Sequence, residues 1–297
     1  MAKKPNTVKL TGGDRAFFIC VTVFLVFIGL VIAIPMLATI TQSVTPNGYR
    51  GSVFDKFLLV PWKWDASAYG ALLGNNGFIL AFWNSLKIML FGVVTSLSLT
   101  IPMSYCMSVH DLPGRKLLNY FVLIPYLFNI GVIPTYLVIT SLGLTNHLAS
   151  IFVPGAIGTY NCLIMRGFFE GIPESLKESA RIDGAAEWYV LLSIILPLSK
   201  PIIMTIGLYY AVGYWNDFMH PLLYINESAL QPMPILLRNI LLGSAMGENL
   251  DANAFGDASV QAIKAASVFL SAIPMMLAYP FIQKYFTKGT MLGSVKG

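Results

Sequence analysis

Residues Glu178 to Pro197 read ESARIDGAAEWYVLLSIILP, a charged, glycine-containing stretch set between two long apolar runs in a chain that is otherwise mostly hydrocarbon. Just upstream, Pro173 to Ala186 is rich in helix formers, and Pro173 stands where a first helical turn tolerates it. A helix is therefore expected here, with Leu176, Ala180 and Asp183 forming a narrow small-residue face that another protein could approach. Gly184 permits a bend that a residue with a Cβ would resist. The plainer alternative is a helix lying on lipid headgroups, but this face has too few bulky apolar residues for strong adsorption.

Working outward, composition sets the class. Hydrophobic residues make up 56% of the 297, charged residues 11%, and the mean hydropathy is +0.69, against roughly 25% charge in soluble domains. This is an integral membrane protein. Runs of 18 or more apolar residues favour helices, because hydrocarbon offers no partner for free backbone groups; a β-barrel would show short alternating segments instead. The expected class is all-α with six transmembrane helices: Phe17 to Ile40, Ala81 to Val109, Leu117 to Ser141, Leu148 to Phe169, Val190 to about Asn216, and Ile263 to Tyr285. The first run is too long for the apolar core of a cleavable signal, and no small-residue cleavage pattern follows it.

Cationic residues orient the spans. Lys3, Lys4, Lys9, Arg15, Arg115, Lys116, Arg166, Lys177, Arg181, Lys200, Lys284, Lys288 and Lys296 fall on one side, 13 of the 19 Lys and Arg. Arg50, Lys56, Lys63, Arg238 and Lys264 fall on the other. The positive-inside rule then places both termini and the 178–197 stretch in the cytoplasm. The pI near 9 follows from this asymmetry and the anionic inner leaflet, so nucleic-acid binding is not inferred.

Catalytic chemistry lacks its parts. Cys20, Cys106 and Cys162 sit in apolar runs without CxxC spacing, and His110, His147 and His220 are scattered, so neither a metal site nor a disulfide is indicated. GxSxG and GxxxxGK[ST] do not occur, so this chain does not itself cradle ATP phosphates. An intramembrane enzyme would need paired carboxylates or a nucleophile with its base, whereas Asp217 stands almost alone. A secondary transporter or channel remains the alternative function, but no inverted repeats or buried ionisable relays are evident.

The spacing Glu178-Ser179-Ala180, Gly184, Ile194, Leu196-Pro197 resembles the cytoplasmic EAA loop of bacterial ABC importer permeases, with Ser179 in place of Ala. Tyr209 to Asn226, Leu237 to Asn239, the ending Lys284 to Gly297 and Asn84-Ser85 are similar to the carbohydrate-uptake branch, the smaller permease of maltose-type importers. The likeness covers most of residues 80 to 297 and implies the type I ABC importer permease fold. It also implies a sugar or oligosaccharide importer working by alternating access in a bacterial cytoplasmic membrane. The partners it implies are a second homologous permease, two ATPase subunits and an extracytoplasmic binding protein. The chain would bind no cofactor, with ATP and Mg held by the ATPases.

On that likeness, Glu178, Ser179, Ala180, Asp183, Gly184, Ile194, Leu196 and Pro197 are the residues that couple to the ATPase, and Ser294, Val295, Lys296 and Gly297 form a tail reaching between the ATPases. Tyr210, Tyr214 and Asp217 share a helical face and, with Tyr209, Trp215 and Asn216, form a candidate sugar path; aromatics at a span end also serve as interface anchors. The expected layout is a cytoplasmic segment 1–16, a permease domain 17–286 with the coupling loop at about 170–189, and a tail 287–297. A polar outward segment from Glu227 to Val260, Leu241 to Asp257 in particular, is expected to reach the binding protein.

Overall fold

The computed structural model describes residues 12–46, 64–128, 130–243 and 259–293, with side chains described as far as 280. Helices dominate, and no strand occurs among the described residues. In chain order they are α1 Gly12–Ser43, α2 Ser67–Gly74, α3 Asn76–Ser108, α4 Arg115–Leu127, α5 Val132–Ser141, α6 Ala149–Phe152, α7 Thr159–Glu170 and α8 Glu174–Ile182. They continue with α9 Glu187–Leu198, α10 Lys200–Trp215, α11 Met219–Tyr224, α12 Met233–Gly243 and α13 Val260–Gly293. The chain forms two compact units, Met1–Gly74 with Asp251–Phe269, and Asn75–Leu250 with Leu270–Gly297.

In the first unit α1 presents Phe17, Val23, Phe24 and Leu25 outward along an apolar shaft, as a lipid-embedded helix requires. Its end is tied locally: Ser43 Oγ meets the Tyr69 hydroxyl at 2.5 Å, and the Asp65 N–H donates to the Val44 carbonyl at 3.0 Å.

The second unit is built around α3, against which α7, α10 and α12 pack. One flank of α3 is a buried line of small residues, Ser85, Gly92, Ser96, Thr100, Ser104 and Ser108, the kind of surface that lets membrane helices approach closely. The sequence reading noticed only its first member and Asn84. Each hydroxyl is satisfied: Ser96 bonds the Tyr214 hydroxyl at 2.7 Å, Thr100 the Tyr210 hydroxyl at 2.8 Å, and Ser104 donates to the Cys162 carbonyl at 3.2 Å. Near the start of α3 the Asn84 amide donates to the Ala229 and Gln231 carbonyls, while Ser85 Oγ accepts the Met233 N–H. These bonds seat the head of α12.

Among the described residues, three helices or stretches are long and apolar enough to cross a membrane by themselves, Gly12–Ser43, Asn76–Ser108 and Val260–Pro280. The other expected spans are interrupted. Leu117 to Ser141 is divided into α4 and α5 around Gly131, whose φ of +81° cannot continue a right-handed helix. Leu148 to Phe169 is split between α6 and α7, with Pro154, Gly155 and Gly158 between them. The run from Val190 turns by 84° between α9 and α10, around Ser199. The outward segment expected to be polar contains α12, with Met233, Ile235 and Ile240 buried; its amphipathic Pro-Ile-Leu-Leu-Arg-Asn-Ile run makes a packed helix rather than a loop. Residues 244–258, which hold most of the interval expected to touch a binding protein, lie outside the described residues.

Candidate functional site

The 174–198 region folds as a short helix, a bend and a surface helix. α8 stops in a glycine-terminated cap: Ala185 N–H donates to the Ala180 carbonyl at 2.9 Å, and Gly184 N–H to the Arg181 carbonyl at 3.0 Å. This pair of bonds is the Schellman arrangement. It requires a left-handed residue, and Gly184 supplies φ +81°. No atom lies within 4 Å of where a Cβ would sit on Gly184, so backbone geometry alone selects glycine there. The chain then re-enters helix at Glu187 and passes through a wide π turn from Val190 to Ile195.

The expected coupling residues divide between two hollows and the core. Ser179, Ala180, Asp183, Gly184 and Ile194 line an open hollow of about 660 Å³ between α8 and the start of α9. Glu178 faces a second cleft of about 880 Å³ whose walls include Val109 to Pro113 and Gly171 to Glu174. Leu196, like Ile194, is partly buried against the core cluster, and Pro197 is exposed beyond both hollows. The face drawn through Leu176, Ala180 and Asp183 is not one surface: Ala180 is buried against its own chain, while Leu176 and Asp183 are exposed. Outward from α8 projects Ile182, 85% exposed, followed by the exposed rings of Trp188 and Tyr189. These apolar tips are the part of the site that the sequence reading missed; an isoleucine next to a terminating Asp-Gly was the available signal.

Beneath the loop, Ala180, Val190, Leu191 and Ile195 belong to one buried cluster with Phe169, Ile172, Ile206 and Tyr210. The cluster joins the loop to the middle of α10. A set of ions closes over it. Glu187 accepts from Arg181 Nε at 2.7 Å and from the Tyr105 hydroxyl at 2.5 Å, and Glu174 accepts from Lys177 Nζ at 2.9 Å and Arg181 Nη1 at 3.2 Å. The Lys177 hydrogen bond holds the Glu174 carboxyl below its usual range, and the Arg181 hydrogen bond does the same for Glu187. Arg181 is in turn held more firmly protonated, first by Glu187. None of these partners was paired by sequence reasoning.

Tyr210, Tyr214, Trp215 and Asp217, among the candidate sugar-path residues, are tied by hydrogen bonds within the chain. The Tyr210 and Tyr214 rings stack at 6.2 Å, and the Tyr210 hydroxyl, besides Thr100, accepts the Gly158 N–H at 2.9 Å. The Tyr214 hydroxyl also reaches the Phe152 carbonyl at 3.3 Å, so the two tyrosines bridge α3 to the interruption between α6 and α7. Trp215 Nε1 donates to the Ser271 carbonyl at 3.1 Å. Asp217 accepts from the His220 N–H and ring Nδ1, the latter at 2.6 Å, which opens α11 and raises the pKa of His220. Tyr209 and Asn216 are exposed, with the Asn216 amide on the Val212 carbonyl. The tail residues Ser294, Val295, Lys296 and Gly297 lie outside the described residues.

Residues 77–291 match the family model described as binding-protein-dependent transport system inner membrane component. The chain is 39% identical over 287 residues to the polygalacturonan/rhamnogalacturonan transport system permease protein YtcP of Bacillus subtilis, covering 96% of this chain and 99% of that protein. It is 27% identical to the arabinooligosaccharides transport system permease protein AraQ of Halalkalibacterium halodurans, covering 93% and 95%. Among solved structures it matches a chain of a bacterial ABC transporter involved in the import of the acidic polysaccharide alginate, with a TM-score of 0.84, 29% identity, and coverage of 94% of this chain and all of that one.

Proposed function

The chain belongs to the family of binding-protein-dependent transport system inner membrane components, and from that premise we propose that it is one permease half of an ATP-driven importer for an oligosaccharide. The observation that carries the proposal is the 174–198 loop: a short helix stopped by Gly184, an apolar tip at Ile182, and a core cluster leading to α10. Such a loop can receive a push and pass it inward, and the sequence carries no GxxxxGK[ST] phosphate-binding loop of its own. ATP and Mg then act on two separate ATPase subunits. Glu178, Ser179, Ala180, Asp183, Gly184, Ile194, Leu196 and Pro197 form and support the ATPase contact on the cytoplasmic side, with Ser294 to Gly297 as a second contact. A homologous permease completes the path, and an extracytoplasmic binding protein delivers the sugar.

The relatives' cargoes support a saccharide, and two of them, polygalacturonan/rhamnogalacturonan and alginate, are acidic. Of the candidate residues on α10 and just past its end, Tyr209 and Asn216 face outward for a sugar, while Tyr210, Tyr214, Trp215 and Asp217 make hydrogen bonds within the chain. The test is uptake into proteoliposomes of a labelled trigalacturonate, with maltotriose as the neutral comparison, by the complex reconstituted with its ATPase and binding protein. ATP-dependent uptake of either sugar that needs both partners is the expected result. Uptake by this chain without them would overturn the assignment in favour of a secondary transporter.

A further inference from the structure

Gly184 has open space around it, so a push on α8 could be absorbed by bending there unless something crosses the bend. The ions do cross it. Arg181, in the last turn of α8, grips both oxygens of Glu187, the first residue of α9, at 2.7 and 3.4 Å, and its third nitrogen holds Glu174 at the start of α8. The second oxygen of Glu187 takes the hydroxyl of Tyr105, 82 residues earlier and only 5% exposed, at the inner end of α3.

We infer that Tyr105, Glu187, Arg181 and Glu174 form a clasp that makes the coupling loop and the inner end of α3 move as one body, with Tyr105 and Glu187 as positioning residues for coupling. The inference rests on the proposed function above and adds to it the intrachain route by which the loop's movement enters the bundle. Isolated exposed ion pairs contribute little. Here a forked guanidinium and a buried hydroxyl share one carboxylate, so each bond is charge-assisted and the members orient one another. From α3 the displacement continues through Ser96 and Thr100, whose hydroxyls hold Tyr214 and Tyr210 of α10. A hydrophobic cluster alone would let the loop slide; the directional bonds fix its angle.

Spatial adjacency is not coupling, and a double-mutant cycle separates the two. The complete reconstituted importer is assayed for trigalacturonate or maltotriose imported per ATP hydrolysed, with wild type, Tyr105→Phe, Glu187→Gln and the double variant. The expected result is a fall of about fivefold or more in that ratio for each single variant. The double variant should be no worse than the poorer single one, with complex recovered by affinity pull-down at the wild-type level. A wild-type ratio in either single variant, or losses that multiply in the double, would overturn the clasp. If Glu187→Gln does not assemble, Tyr105→Phe decides, since it removes one oxygen from a ring that stays packed. A wild-type complex that shows no ATP-coupled uptake would instead count against the proposed function.

Discussion

Replacing Gly184 tests the loop at the point where its geometry is most demanding. At φ +81° a side chain is strained by its own backbone, and because no atom lies within 4 Å of the Cβ position, strain is the whole effect for alanine. A left-handed residue with a Cβ costs about 1–2 kcal/mol, which lowers the population of the bent loop relative to an unbent one by a factor of about 5–30. Asparagine tolerates the left-handed region and should lose less. Proline cannot reach positive φ and removes the N–H that donates to the Arg181 carbonyl at 3.0 Å, so it abolishes the cap. The expected order of binding-protein-stimulated ATPase activity in reconstituted complexes is therefore glycine, asparagine, alanine, proline, with membrane insertion unchanged throughout. Equal activity of Gly184→Ala and Gly184→Pro, whether both high or both low, would refute the reasoning.

Elsewhere, a Cβ on Gly92 would lie 2.6 Å from the Tyr214 ring, which is pinned by its stack and two hydrogen bonds. Gly92→Ala should lower stability by about 1–3 kcal/mol in thermal unfolding of the purified protein, whereas Gly213→Ala, which meets open space, should not. Because Glu174 and Glu187 have lowered folded-state pKa values, their contribution is complete above the unfolded value of about 4.3 and is lost as pH falls through the folded values. The stability gap between wild type and Arg181→Gln should accordingly be constant from pH 8 to about pH 5 and close in stronger acid. His220 has the opposite sign: its raised pKa makes the Asp217 pair favourable below about pH 6.5 and weaker as pH rises past the raised value, so Asp217→Asn should matter less in alkali in the same unfolding assay. Removing Ser294 to Gly297 should reduce coupled ATPase activity and uptake without loss of the assembled complex on pull-down, and full activity would leave that segment without a role in coupling.

Local signals in this chain were readable in proportion to how local their causes are. Hydropathy marks α1, α3 and α13, and Asp183-Gly184 marks the end of α8, because burial in lipid and helix termination depend on neighbouring residues. The 84° turn around Ser199 was not legible, since Leu-Pro-Leu-Ser-Lys-Pro fits a continued run as well as a bent one. Nor was the pairing of Tyr105 with Glu187, or of Asn84 with carbonyls more than 140 residues away, because no periodicity carries a contact at that separation. The tyrosines of α10 illustrate the same limit: their spacing is that of one face, but which partner a face meets is decided by the helices it packs against.

The wide turn from Val190 to Ile195 gives α9 one residue of slack. Ordinary helix fixes about 100° of rotation per residue, so a deletion in an ordinary stretch of α9 would swing every following side chain of that helix to a new azimuth. Within the wide turn, the same deletion can be absorbed by closing the ring to the ordinary i to i+4 pattern, leaving the phase beyond it intact. The aim of Trp188 and Tyr189 and the place where the chain turns at Ser199 are thus separately adjustable, so a sequence can re-aim the outer tip for a different docking cleft while the inner helices keep their register.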